Sequence, residues 1–152
     1  MKTRLDYANA IPDGYRALSQ VNAYLGRCGL EAELLHLLYL RVSQINGCAY
    51  CVDKHSDDAL RAGDSEQRIH SVVVWQESPF FTARERAGFS WAETVTLVSE
   101  THVPDSAYDE ARQQFNEKEL SDLTLAIATM NAWNRMAISF RKLPAERKPT
   151  ST

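Results

Sequence analysis

An all-α fold follows from three features of the sequence. Apolar residues recur at three- and four-residue spacing along most of the chain, helix-capping pairs precede several of these runs, and no segment alternates apolar and polar residues between hairpin turns. Three consecutive valines at 72–74 are the place where a strand competes, and helix is the preferred reading there. A chain of 152 residues has room for one domain with a substantial core. We expect about six to seven helices over residues 1–143, with a polar, disordered tail at 144–152 that carries Pro144 and Pro149.

The first helix is expected over 12–26. Pro12 suits a first turn, where the missing N–H removes no hydrogen bond, and Tyr15, Leu18, Val21 and Leu25 form an apolar stripe. Arg27, Cys28 and Gly29 end it, and Cys28, isolated in sequence, reads as an ordinary small side chain. The next helix, 31–45, carries Leu34, Leu35, Leu37, Leu38, Leu40, Val42 and Ile45 around most of its circumference, so it must be buried. Asn46-Gly47 breaks it, since both residues tolerate left-handed backbone. A new helix then opens at Cys48 and ends near Ala62-Gly63. Asp64, with Gln67 three residues on, reads as the cap of a helix reaching Trp75. After a loop over 76–81, Thr82 and Glu85 form a capping box for a helix with Ala87, Trp91, Val95 and Val98 on one side. Pro104-Asp105 starts a short helix to about Phe115. Asn116 with Glu119 then caps a last helix to about Arg141, striped by Leu120, Leu123, Ile127, Met130, Trp133, Ala137 and Phe140. Trp75, Trp91 and Trp133 belong in the core or at a subunit interface.

The chemistry concentrates at Cys48-x-x-Cys51-x-x-x-His55. On a helix starting at Cys48, the three side chains share one face at successive turns. Three residues of rise give ~4.5 Å along the axis, so the two cysteines lie within disulfide reach. Free N–H groups and the positive end of the helix dipole favour a thiolate in the first turn, and His55 can take its proton or stabilise its charge.

The charge balance, 17 Lys+Arg against 20 Asp+Glu, provides no basic footprint for nucleic acid or an anionic membrane. The N-terminal segment lacks a signal-peptide apolar core and no run reaches membrane-spanning length, which suggests a cytoplasmic protein. In a reducing compartment, three cysteines do not make a disulfide framework, and a spaced pair reads as catalytic or metal-binding.

The segment from Leu40 to His55, L-R-V-S-Q-I-N-G-C-A-Y-C-V-D-K-H, resembles the alkylhydroperoxidase AhpD-like, carboxymuconolactone decarboxylase superfamily. So do Trp75-Gln-Glu-Ser, the run from Arg84 to Glu93, and Asn131-Ala-Trp-Asn-Arg135. The resemblance implies an AhpD-like helical bundle with the C-x-x-C at a helix N-terminus, a homo-oligomer (trimer or hexamer), and a thiol-dependent peroxidase without cofactor or metal. It makes Cys51 the peroxidatic thiol, Cys48 the resolving thiol and His55 part of the proton relay. The substrate would be an organic hydroperoxide and the reductant an external dithiol such as a lipoyl protein or a thioredoxin-like partner, with a small thiol also open. Two positions depart from the best-studied peroxidases: His36 stands where they carry a relay glutamate, and Tyr50 where they carry a histidine between the cysteines. His36 and His55 could face each other across the Asn46-Gly47 hinge. A second imidazole would not stabilise protonated His55, so the relay is expected to be weaker or shifted in pH.

Other readings of the cluster are a redox sensor without useful turnover, and a zinc site using Cys48, Cys51 and His55 with His36 as a fourth ligand. A lactone decarboxylase would not need the cysteine pair. In the last helix, Asn131 and Arg135 share a face. A solvated stripe is the plain reading of Asn131, Asn134 and Arg135, and an intersubunit or near-site hydrogen-bonding role the functional one. Glu77 and Glu93 are weaker candidates for approaching the site.

Overall fold

The computed structural model describes residues 1–146. Among them lie nine α-helices and no strand: α1 (Tyr7–Ala10), α2 (Pro12–Leu25), α3 (Ala32–Asn46), α4 (Ala49–Arg61), α5 (Glu66–Ser71), α6 (Ala83–Thr96), α7 (Val98–Thr101), α8 (Asp105–Arg112) and α9 (Glu117–Phe140), with a 3₁₀ turn at Val72–Val74. The count exceeds six to seven because α1 and α7 are single turns. Asp6 caps α1 by accepting from the N–H groups of Ala8 and Asn9. Leu97 interrupts α6, which moves Val98 off the expected stripe and leaves it exposed. His102 and Val103 then take positive φ ahead of Pro104, a residue that itself disfavours helix at the position before it. Residues 144–146 carry no regular structure, and the rest of the expected disordered tail lies outside the described residues.

The expected caps of α6 and α9 are both present as reciprocal boxes, Thr82 with Glu85 and Asn116 with Glu119. The α5 cap moves one residue. Ser65 Oγ accepts from Arg68 N–H, while Asp64 pairs with the Arg68 side chain at 2.8 Å. The valine run forms neither strand nor α-helix: it tightens to 3₁₀, burying Val72 and exposing Val73 and Val74.

Helix α3 is the centre, packed against α4, α6 and α9. One side contributes Leu34, Leu38 and Val42 to a core shared with Trp91, Phe115 and Ile127. Another contributes Leu37 and Leu40 to a second core with Val72, Trp75 and Phe89. Each fully buried leucine is worth about 1.5–3 kcal/mol, and this two-sided burial is why α3 is apolar nearly all round. Gly88 allows α6 to approach closely, since a Cβ there would stand 3.3 Å from Leu34 Cδ1. Among the described residues no helix is long and apolar enough to cross a membrane.

Candidate active site

The site begins with the turn between α3 and α4. Gly47 adopts φ 69°, which costs most residues energy but not glycine. Gly47 N–H then donates to the Gln44 carbonyl at 3.2 Å and Cys48 N–H to the Ser43 carbonyl at 3.0 Å, the paired bonds of a Schellman turn. The chain is thereby reversed and Cys48 becomes the N-cap of α4, its Sγ accepting from Cys51 N–H at 3.3 Å. Cys51 is in the first turn, as the spacing requires. The two cysteines form a disulfide with Cα atoms 5.3 Å apart, and both are buried.

A polar cluster from α9 holds this turn in place. Asn46 Nδ2 donates to Asn134 Oδ1 at 2.9 Å, to Asn131 Oδ1 at 3.0 Å and to the Val42 carbonyl at 3.1 Å. Asn134 Nδ2 donates to Ser43 Oγ at 3.1 Å, and Asn131 Nδ2 to Thr96 Oγ1 at 3.1 Å. Asn134 has no exposed surface even in the single chain, so the solvated-stripe reading does not apply to it. Spacing carried the signal: Asn134 follows Met130 by four and precedes Ala137 by three, on the buried face of α9.

His55 sits one turn beyond Cys51, its ring 5.3 Å from that of Tyr39. Asp58 Oδ2 lies 3.4 Å from its Nδ1 but outside hydrogen-bonding geometry, so that nitrogen is buried without a hydrogen bond. Burial, reinforced by the charges of Lys54 and His36 and opposed by Asp58, lowers the His55 pKa to about 4. His55 is therefore neutral at pH 7 in the disulfide form. His36 is half-buried on α3, near enough for its charge to act on His55, and its Nδ1 is likewise without a partner.

This shift sets a pH dependence of stability. Unfolded His55 binds a proton below pH ~6.5, and folded His55 only below about 4. Between these values the unfolded state holds more protons, so stability falls as pH drops through the window, by about 3 kcal/mol in full. Denaturant titrations at pH 7 and pH 4 should show wild type losing roughly that much more than His55→Leu. Equal losses in both proteins would mean that His55 is not buried neutral.

Cys51 and His55 open onto a cavity of about 120 Å³, walled by Tyr7, Tyr15, Tyr50 and Trp133. Tyr15 and Trp133 meet edge to face with centroids 5.2 Å apart, and Trp133 Nε1 donates to Asn22 Oδ1 at 3.3 Å. Cys48 lines an adjoining groove bordered by Arg4 and Arg141, which shares Tyr50, Ala137 and Lys142 with the cavity. His36 lines neither. Tyr7 and Lys142, absent from the sequence-derived candidates, reach the cavity through the terminal segments. Arg4 N–H bonds the Phe140 carbonyl at 2.9 Å, and Lys142 N–H bonds the Ala137 carbonyl at 2.9 Å. Glu93 is taken up elsewhere, by Arg41 at 2.7 Å and Trp75 Nε1 at 2.6 Å, and Glu77 is exposed away from the cavity. Trp75 and Trp91 are core residues, while Trp133 is partly exposed at the cavity. Among the described residues no three His, Cys, Asp or Glu side chains converge to hold a metal ion.

Fold and site together define an all-α dithiol protein whose cysteine pair opens a helix beside an aromatic cavity. The chain belongs to the carboxymuconolactone decarboxylase family, whose model it matches over residues 12–94. It is 33% identical to the uncharacterized protein YdfG of Bacillus subtilis, over 97% of this chain and all of that one. A solved structure of a protein of unknown function from Agrobacterium tumefaciens, provisionally assigned to antioxidant defence as AhpD, is 42% identical with TM-score 0.94, covering 96% of this chain and all of that one. The debrominase Bmp8 shares the fold at 20% identity and TM-score 0.79, over 90% of this chain and 74% of its own.

Proposed function

We propose that the protein is a thiol-dependent peroxidase that reduces organic hydroperoxides through a Cys48–Cys51 dithiol–disulfide cycle. The observation that carries this reading is the setting of the two sulfurs: Cys51 lines the small aromatic cavity with His55, and Cys48, within disulfide distance, lines the adjoining groove instead. The 42% identical AhpD-assigned structure supports the same reading.

The Cys51 thiolate, favoured by the first-turn N–H groups and helix dipole of α4, attacks the outer peroxide oxygen. The O–O bond breaks, the alkoxide takes a proton to leave as alcohol, and Cys51 becomes a sulfenic acid. Cys48 then attacks that sulfur, forming the disulfide and releasing water. His55, neutral while the disulfide is closed, becomes a stronger base once a Cys51 thiolate stands beside it, so it can take up the thiol proton and return one to the departing oxygen. An external dithiol, a lipoyl protein or thioredoxin-like partner, restores both thiols by exchange. His36 acts at one remove, through its charge on His55. The protein works as a homo-oligomer, a trimer or hexamer.

The test is a thiol count on fully reduced, metal-free protein before and after a substoichiometric dose of tert-butyl hydroperoxide. Two thiols lost per peroxide within seconds is the expected result. Unchanged thiols would overturn the peroxidase reading.

A further inference from the structure

We infer that the cavity beside Cys51 selects a small hydroperoxide that carries a carboxylate, with the Lys142 ammonium as the specificity-determining contact. The inference rests on the peroxidase reading for the reactive end of the ligand, and on independent features of the cavity for the rest.

The first feature is size. About 120 Å³ is somewhat less than the ~150 Å³ apolar cavity that accommodates benzene, so the bound body is a branched group of four to five carbons or about one ring. The second is lining. Tyr7, Tyr15, Trp133, Met130 and Ala137 present apolar surface suited to a hydrocarbon body.

The third is charge. No acidic side chain lines the cavity among the described residues, whereas two lysines do. Lys54 is already paired with Asp58 at 2.8 Å. Lys142 has no carboxylate partner among the described residues. Its Nζ stands 4.3 Å from the centre of the Tyr50 ring and 5.7 Å from that of Tyr7. These aromatic contacts hold the ammonium at the cavity without neutralising it. A left-handed Arg141 ends α9, and the Lys142 N–H bond to Ala137 then fixes the backbone that aims this side chain. An unneutralised cation on the wall of a largely apolar cavity raises the local concentration of anions and is best matched by a ligand carboxylate.

The experiment compares tert-butyl hydroperoxide with 3-hydroperoxy-3-methylbutanoate, which differs by a carboxylate on one methyl carbon. Reduced protein is mixed with each, and the second-order rate of thiol loss is followed in a single turnover. No reductant is present, so any effect of Lys142 on reductant docking is excluded. Wild type should prefer the carboxylate probe by roughly tenfold, the scale of one hydrogen bond to a charged group. Lys142→Gln should bring the ratio of the two rates near unity, and Lys142→Arg should restore most of it. Because the ratio is taken within each protein, general damage to the site cancels. No preference in wild type, or an unchanged ratio in Lys142→Gln, overturns the inference. If neither probe oxidises the thiols, binding of 3-hydroxy-3-methylbutanoate, read by tryptophan fluorescence, decides the matter. Binding that weakens several-fold in Lys142→Gln and recovers in Lys142→Arg would keep the carboxylate subsite while the peroxidase reading falls. Binding that is absent or indifferent to Lys142 would remove the subsite as well.

Discussion

Cys51→Ser will reduce the reaction with organic hydroperoxide to background, a loss of at least about a hundredfold, whereas Cys48→Ser will complete one half of the cycle and stop. The asymmetry follows from where the sulfurs lie. Cys51 faces the cavity beside His55, and a serine hydroxyl there is far too poor a nucleophile to open an O–O bond at neutral pH. Cys48 is the N-cap of α4, with its sulfur accepting the Cys51 N–H. Serine is a preferred residue at that position and accepts the same bond through oxygen, so Cys48→Ser keeps the helix start intact. Without a resolving sulfur, the Cys51 sulfenic acid persists and can be trapped by dimedone or over-oxidised. Mass spectrometry should find one adduct at Cys51 in Cys48→Ser and none in Cys51→Ser. An adduct at Cys48 in the Cys51→Ser protein would reverse the assigned roles.

What the sequence reveals of this molecule depends on how local the signal is. The apolar girdle of α3, the Asn46-Gly47 break and the two capping boxes each lie within one or two helical turns, and the structure has them where residue chemistry requires. The placement of Cys48, Cys51 and His55 along α4 is equally local, since three- and four-residue spacing decides a helical face. Errors arise where two neighbours can do the same job. Asp64 and Ser65 are both competent caps, and the choice falls to Ser65 because Asp64 is drawn to Arg68. The cavity was not legible. Tyr7 and Lys142 come from opposite ends of the chain and belong to no periodic run, so nothing short of the packed fold brings them beside Cys51. The depth of His55 is intermediate: its face on α4 could be read, but the burial that lowers its pKa comes from packing against α3.

Asn134→Ala will destabilise the fold by about 3 kcal/mol, combining a cavity at a fully buried site with the loss of its hydrogen bonds to Asn46, Ser43 and Met130 Sδ. For a chain of this size that corresponds to a fall in Tm of roughly 6–12 °C. Asn134→Leu separates the two contributions. It fills most of the space but leaves Asn46 Nδ2 with one acceptor fewer and Ser43 Oγ without its donor, so about half of the loss should remain. The consequence reaches the chemistry through one turn of chain. Asn46 is the last residue of α3, Gly47 and Cys48 follow it directly, and the Cys48 N–H is held by the Ser43 carbonyl. Loosening Asn46 and Ser43 together therefore lets the first turn of α4 move, and the Cys48 sulfur with it. Disulfide formation after sulfenic acid formation should slow in both variants while the initial attack by Cys51 changes less. Stopped-flow measurement of the two phases reads this directly. Variants that lose stability yet form the disulfide at the wild-type rate would limit the α9 cluster to a role in folding. A slowed second phase would make Asn134 a positioning residue for the resolving step.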